Sequence, residues 1–148
     1  MRPQNEHRET LGMPDILDEY PVAPIKALDG VLGFRLLKIG EDTALGEVAY
    51  AEHVSQRFGV VHGGVYAALA EMVATEATVQ HVWPKGDGAM GSSNNTAFFR
   101  PISAGTVHAK ATARHRGRST WVWDVDMTDD AGRLCASSRV TIAVRPRQ

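Results

Sequence analysis

The chain has 148 residues, is 43% hydrophobic and 22% charged, and carries a formal net charge of −1; this fits one globular domain and argues against a disordered segment or a general nucleic-acid binder. Its single cysteine, Cys135, allows no intrachain disulfide and fits a reducing compartment, and the longest apolar run, "VYAALAEMVA", is too short to span a bilayer. The charge is uneven, with 7 Lys/Arg against 13 Asp/Glu in residues 1–99 and 9 against 4 in residues 100–148. A local anionic ligand and a solvated, charged sheet edge are both open readings of that basic half.

Residues 1–12 read as a flexible N-terminal tail with neither signal peptide nor anchor, and 13–148 as one domain of a cytoplasmic protein. "MPDILDEYPV" (13–22) resembles one or two helical turns stopped by Pro21. "VLGFRLLKIG" (31–40) and "TALGEVAYAE" (43–52) are strand-like, joined by a Gly-Glu-Asp turn. Gly63 and Gly64 then open a helix that runs without Pro or Gly to about residue 82, before "WPKGDG" ends it.

Strands follow. "AMGSSNNTAFFR" (89–100) precedes Pro101, and "GTVHAKATARHRG" (105–117) alternates Val107, Ala109, Ala111 and Ala113 with polar partners. "STWVWDVDMTD" (119–129) places Trp121, Trp123, Val125 and Met127 on one face, so both tryptophans read as core. "DDAG" (129–132) is a hairpin turn, and "RLCASSRVTIAV" (133–144) supplies the last strand, with Cys135 as inert packing. One long helix followed by a meander predicts an α+β fold, an antiparallel sheet of five to six strands wrapped around that helix.

The helix carries the chemistry. Glu71, Thr75 and Thr78 fall at i, i+4 and i+7, which puts them on one side of a helix that is apolar nearly all round. A buried carboxylate needs a partner or a task, and a carboxylate one turn from a hydroxyl suits activating or positioning a water. The "HGG" before it leaves backbone N–H groups free at the positive end of the helix dipole, an arrangement that can hold an oxyanion, although two glycines also serve a plain tight turn. Gly63 and Glu71 are eight residues apart, roughly 12 Å along the axis, too far to act on one carbonyl from a single helix. Two antiparallel helices crossing near Ala67 and Ala68 bring Gly63 of one chain to Glu71 of the other, which predicts an isologous dimer with two shared sites.

These residues also resemble a known family. "GVVHGGVYAALAEM" resembles the signature of the hotdog-fold acyl-CoA thioesterases with a catalytic carboxylate on the central helix. With "ATEATV", "NNTAFFRP", "STWVWDV", "DDAGRLCA" and "IAVRPR", the likeness runs from about residue 20 to 147 and is narrower, to the 4-hydroxybenzoyl-CoA thioesterase branch that uses a helix glutamate. The resemblance implies hydrolysis of an aryl-CoA thioester, 4-hydroxybenzoyl-CoA first, with broader aryl or acyl specificity (phenylacetyl- or hydroxynaphthoyl-CoA) as the alternative. It implies Glu71 as nucleophile or general base, the Gly63 N–H as oxyanion donor, Gln56 as a side-chain donor to the thioester and Thr75 as the group orienting water. His62 corresponds to a supporting residue beside the oxyanion donor, and Glu76 to a second acid near the acyl end. It further implies a dimer, with a tetramer built as a dimer of dimers.

No cofactor is implied, because coenzyme A is part of the substrate. Its phosphates give the basic C-terminal half a purpose: Arg100, Ser119 and Thr120 correspond to nucleotide-binding positions of the family. Two departures stand out, Arg118 in place of a smaller hydroxyl residue and Gln148 where an arginine is expected; they redistribute the phosphate contacts among Arg118, Arg145 and Arg147. The histidines show no HExxH pattern or Cys/His cluster, so no metal is expected. "RHRGRSTW" has too few interleaved aromatics for a nucleic-acid patch. An acyl-CoA hydratase using His62 and a non-catalytic acyl-CoA sensor are the competing functions, and neither needs the set Glu71, Thr75, Gln56 and Gly63 together.

Overall fold

The computed structural model describes residues 27–148; the tail (1–12) and the short helix (13–22) expected from the sequence lie outside them. The elements in chain order are α1 (Leu28–Leu32), β1 (Arg35–Ile39), β2 (Thr43–Ala49), α2 (Gly63–Val82), β3 (Asp87–Phe98), β4 (Thr106–Arg116), β5 (Thr120–Thr128) and β6 (Leu134–Pro146). Six antiparallel strands form one sheet in the order β1-β2-β4-β5-β6-β3, with α2 against its inner face. This is the hotdog fold.

The expected strand at 31–40 is shorter than predicted because its first part belongs to α1. Gly33 adopts φ 78° at the end of that helix, and the Phe34 N–H reaches back to the Asp29 carbonyl at 2.9 Å while the Gly33 N–H bonds that of Gly30. This Schellman closure needs the left-handed conformation that glycine adopts at low cost. β1 begins only after it.

Helix α2 forms where expected. Ala, Leu and Met favour the helical backbone, and its end at Val82 follows from Pro84, which has no N–H to carry the helical hydrogen bonding onward; Trp83 keeps helical dihedrals and opens a 3-10 turn, Trp83–Lys85. Leu69, Val73, Ala74 and Ala77 are fully buried against Ile39, Val48, Val107, Trp123, Val125, Met127, Val140 and Ile142. Trp121 and Trp123 lie in that core on the face the alternation indicates, and Cys135 is buried with them. Burial of this apolar surface, at about 25 cal/mol per Å2, is the main force that fixes the helix to the sheet.

The two edges of the sheet differ. β1 is short, whereas β3 has twelve residues, most of them exposed, including Met90 and Phe98, with the exposed Phe99 just after it. A long edge strand bearing exposed apolar side chains is a ready pairing surface.

Candidate active site

Along α2, the face turned toward β3 is flanked, among the described residues, by that strand and by Leu28 and Asp29 of α1. Glu71 is exposed there and makes no hydrogen bond or ion pair among the described residues. The expectation of a buried carboxylate is therefore corrected: within one chain Glu71 stands at the open edge of the sheet, because β3 is the last strand on that side. Its carboxylate rests on Gly91 of β3, where a β-carbon would collide with it. Glycine at 91 is what lets the strand backbone run past the acid.

Glu71, Thr75 and Glu76 line a cleft of about 300 Å3, together with Asp29 from α1 and the apolar Leu28, Met72 and Met90. Thr75 is half-buried and its hydroxyl is not engaged among the described residues, so it can hold a water beside Glu71. Thr78, read from the sequence as part of the same stripe, is not in the cleft. It is fully buried, donates to the Ala74 carbonyl at 2.8 Å and accepts the Trp123 indole N–H at 2.9 Å. Thr78 lies only about 20° from Glu71 round the helix axis but about two turns further along it, where Trp123 packs over the helix and the hydroxyl accepts its indole N–H.

Glu76 is half-buried at the far end of the cleft, and burial together with the nearby Asp29 carboxylate pushes its pKa up to about 7. Asp29 is itself raised by burial. Sequence reasoning did not single out Asp29, since an acid in the first turn of a five-residue helix looks like ordinary N-terminal charge. Only the packing of α1 over α2 brings it to Glu76.

At the other end of the helix, His62 is the N-cap. Its Nδ1 accepts the Gly64 N–H at 2.9 Å and its carbonyl accepts the Val65 N–H at 2.9 Å. The Gly63 N–H is left without an acceptor among the described residues, a single directed donor at the positive end of a twenty-residue helix. Accepting at Nδ1 places the imidazole proton on Nε2. The turn before it carries Gln56, whose Oε1 accepts the Phe58 N–H at 2.5 Å, so its Nε2 hydrogens are the ones turned to other partners. The Phe98 ring lies against Gly63, 3.2 Å from where a β-carbon would be.

The candidate phosphate ligands fall into two groups. Arg118, Ser119, Thr120, Arg145 and Arg147 gather at the end of β3 near Asp87: the Arg145 Nη1 donates to the Ser119 carbonyl at 3.0 Å, and Arg147 stacks 3.8 Å over Trp83 while donating to its carbonyl. Arg100 stands beyond the other end, after Phe98. A single chain does not bring Arg100 to the rest.

A larger concavity, about 470 Å3, lies on the outer face of the sheet and contains none of the candidate residues. Its charges satisfy one another: Arg139 grips Asp124 at 2.7 and 2.9 Å and Arg114 approaches the same carboxylate at 3.3 Å. The hydrogen bonds from Arg139 are the first cause of the lowered Asp124 pKa. Among the described residues no group of three or more His, Cys, Asp or Glu could hold a metal ion, and no helix is long and apolar enough to cross a membrane.

Comparison with known proteins agrees with this geometry. Residues 58–136 match the thioesterase superfamily. A Mycobacterium tuberculosis protein named provisionally as an esterase is 38% identical over 116 residues, spanning 77% of this chain and 83% of its own length. The 1,4-dihydroxy-2-naphthoyl-CoA hydrolase of Listeria monocytogenes is 33% identical over 121 residues, 82% of this chain and 98% of that protein. The crystal structure of a thioesterase from Haemophilus influenzae superposes with a TM-score of 0.78 at 32% identity, covering 82% of this chain and 84% of the other. The six-stranded sheet around one long helix is thus the fold of these relatives, and the chain belongs to the thioesterase superfamily as a thioester hydrolase.

Proposed function

We propose that the protein hydrolyses aryl-CoA thioesters whose ring carries a hydroxyl, with 4-hydroxybenzoyl-CoA, cleaved to 4-hydroxybenzoate and CoA, as the first substrate to test. The observation that carries this reading is the cleft itself: Glu71, the free Thr75 hydroxyl and Glu76 line one small, partly apolar space. Glu71 and Glu76 are five residues apart, about 7.5 Å of helix rise, comparable with the length of a para-substituted benzoyl group. A ring between Met72, Met90 and Leu28 would present its carbonyl to Glu71 and its hydroxyl to Glu76. The resemblance of the motifs points to 4-hydroxybenzoyl-CoA, whereas the Listeria relative, named for a hydroxynaphthoyl ester, favours a larger hydroxyaryl group as the second reading.

The site is completed by a second copy of the chain. On β3, Gly91 marks Glu71 and Phe98 marks Gly63, and the Asn94 side chain donates to the Ala67 carbonyl at 2.9 Å between them. Pairing β3 with its twin so that Gly91 faces the partner's Phe98 sets Glu71 beside the partner's Gly63. The same register (91 + 98 = 89 + 100) puts the partner's Arg100 opposite Ala89, near Arg145, which lies across from Gly88. The exposed β3 edge and the scattered arginines both support that pairing. A tetramer of two such dimers is consistent with the family likeness.

In this arrangement the partner's Gly63 N–H, helped by the Gln56 amide, binds the thioester oxygen as charge develops on it. Glu71 either attacks the carbonyl carbon, expelling CoA thiolate and leaving an anhydride that water opens, or takes a proton from a water that attacks directly. Thr75 holds that water in both routes. The basic end formed by Arg118, Ser119, Thr120, Arg145 and Arg147 receives the CoA phosphates.

Thiol release measured across 4-hydroxybenzoyl-, benzoyl-, phenylacetyl-, 1,4-dihydroxy-2-naphthoyl- and medium-chain acyl-CoA tests the reading. Highest kcat/KM for a hydroxyaryl ester is expected. Equal turnover of the medium-chain ester would reduce it to general acyl hydrolysis, and no thiol from any ester would replace it with a hydratase or a sensor.

A further inference from the structure

The far end of the cleft holds two carboxyl groups. From α1 Glu76 faces Asp29, from α2 it shares the wall with Glu71, and β3 contributes Ala89, Met90 and Gly91, none of which titrates. Among the described residues no Lys, Arg or His lines the space. A ligand that reaches past Glu71 therefore ends between two acids in a partly desolvated pocket, with no cation among the described residues to balance them.

We propose that Asp29 and Glu76 make this cleft selective by charge, so that it admits neutral acyl groups and refuses acyl groups whose far end bears a carboxylate. The reasoning rests on the aryl-CoA reading above, since the acyl group has to occupy the cleft for its far end to matter. A carboxylate placed there meets Asp29 and Glu76 at close range, where water screens only partly and like charges repel. A hydroxyl or a carboxamide of the same size meets two acceptors that it can donate to. The acids thus do two things with the same atoms. They reward a donor and exclude an anion.

The difficulty that Glu76 has in ionising is the same repulsion seen without a ligand: burial and Asp29 hold its pKa at about 7. Below that value Glu76 is neutral and the exclusion weakens. Above it, the exclusion is at full strength.

Two CoA esters that differ in charge but hardly in shape, 4-carboxybenzoyl-CoA and 4-carbamoylbenzoyl-CoA, supply the test. Their Kd values are measured by calorimetry with the Glu71→Gln protein, in which hydrolysis should be slowed by roughly 10³-fold, at about pH 8 and about pH 6, on either side of the Glu76 pKa of about 7. The CoA portion is common to both esters, so titration of its phosphates cancels in the ratio. At the higher pH the carboxy ester should bind at least about tenfold more weakly than the carbamoyl ester, as like charges in a poorly screened site require. The ratio should fall at the lower pH, and it should fall to near one when Asp29→Asn and Glu76→Gln are added.

Equal Kd values at the higher pH overturn the inference, and so does a ratio that survives the double substitution or ignores pH. If the doubly substituted protein does not fold, the two pH values decide alone. The outcome is separable from that of the parent reading. A charge-dependent ratio with no thiol release by the unsubstituted protein would overturn hydrolysis and keep the selectivity, whereas thiol release with equal Kd values would do the reverse. Failure to bind either ester would overturn both.

Discussion

Thr75 and Thr78 are three residues apart on one helix and have opposite fates. Thr78 is sealed in the core, its hydroxyl donating to Ala74 and accepting from Trp123, so both its roles are used. Thr75 lies in the cleft beside Glu71, and among the described residues neither its hydroxyl nor that acid has a partner. The same side chain is structural material on one face and a reagent on the other. What separates them is what lies over each: Trp123 of β5 covers Thr78, whereas Thr75 faces the cleft between β3 and α1.

The sharpest way to break this contrast is at Glu71. Glu71→Gln keeps the shape and removes the nucleophile or base, so kcat should drop by roughly 10³-fold while KM stays within a few-fold. Steady-state thiol release would show it, and a variant retaining wild-type turnover would end the assignment. Next in size is the pair of threonines taken together. Thr75→Ala should lower kcat by on the order of ten- to a hundredfold, as expected when a reacting water loses its positioning, with no change in Tm. Thr78→Ala should do the opposite: leaving the buried Trp123 N–H without an acceptor costs about 1–3 kcal/mol, read as a lower Tm with kcat intact. If both variants lost activity and neither lost stability, the division into two faces would be wrong.

Much of this was legible in the residues. The period-2 alternation in 119–129 put Trp121 and Trp123 in the core, and "HGG" marked the helix start, because both patterns are local and the fold agrees with them. The helical spacing that grouped Glu71 with Thr75 and Thr78 gave their angle round the axis, but it could not say how far along the helix the core would close over that side. Glu71 looked buried because its helix is apolar on nearly every side; the edge position of β3 is a property of long-range strand order, which no local pattern carries. Asp29 was invisible for the same reason. Its meaning comes from α1 folding back more than forty residues to reach Glu76.

A smaller effect should follow from His62. With the imidazole spent on the Gly64 N–H, the neighbouring Gly63 N–H stays as one directed donor. His62→Ala removes an N-cap worth about 1 kcal/mol and lets the first turn loosen, so kcat/KM should fall by about fivefold if that energy is expressed at the oxyanion. Asn caps helices as well, and His62→Asn should therefore recover most of the loss. An Asn variant as poor as Ala would mean that the Nε2–H touches the substrate itself.

The least effect, and the most diagnostic of the cleft, concerns stability. A carboxyl whose folded pKa is raised from 4.5 to about 7 favours its protonated form in the native state. Protons are then bound more tightly by the folded chain than by the unfolded one, and the native state loses stability as pH rises from about 4.5 through about 7. Glu76→Gln removes the group that titrates. It should raise Tm by a few degrees at about pH 8 and leave it nearly unchanged at pH 4.5 and below, the window set by the two ends of the shift. Asp29→Asn should give part of the same gain at high pH, because it removes the neighbour that repels the Glu76 charge but not the burial, which is the larger cause. A Tm difference that is the same at both pH values would mean that ionisation of Glu76 is not opposed in the fold. The cleft would then have no stored repulsion to turn against an anionic acyl group.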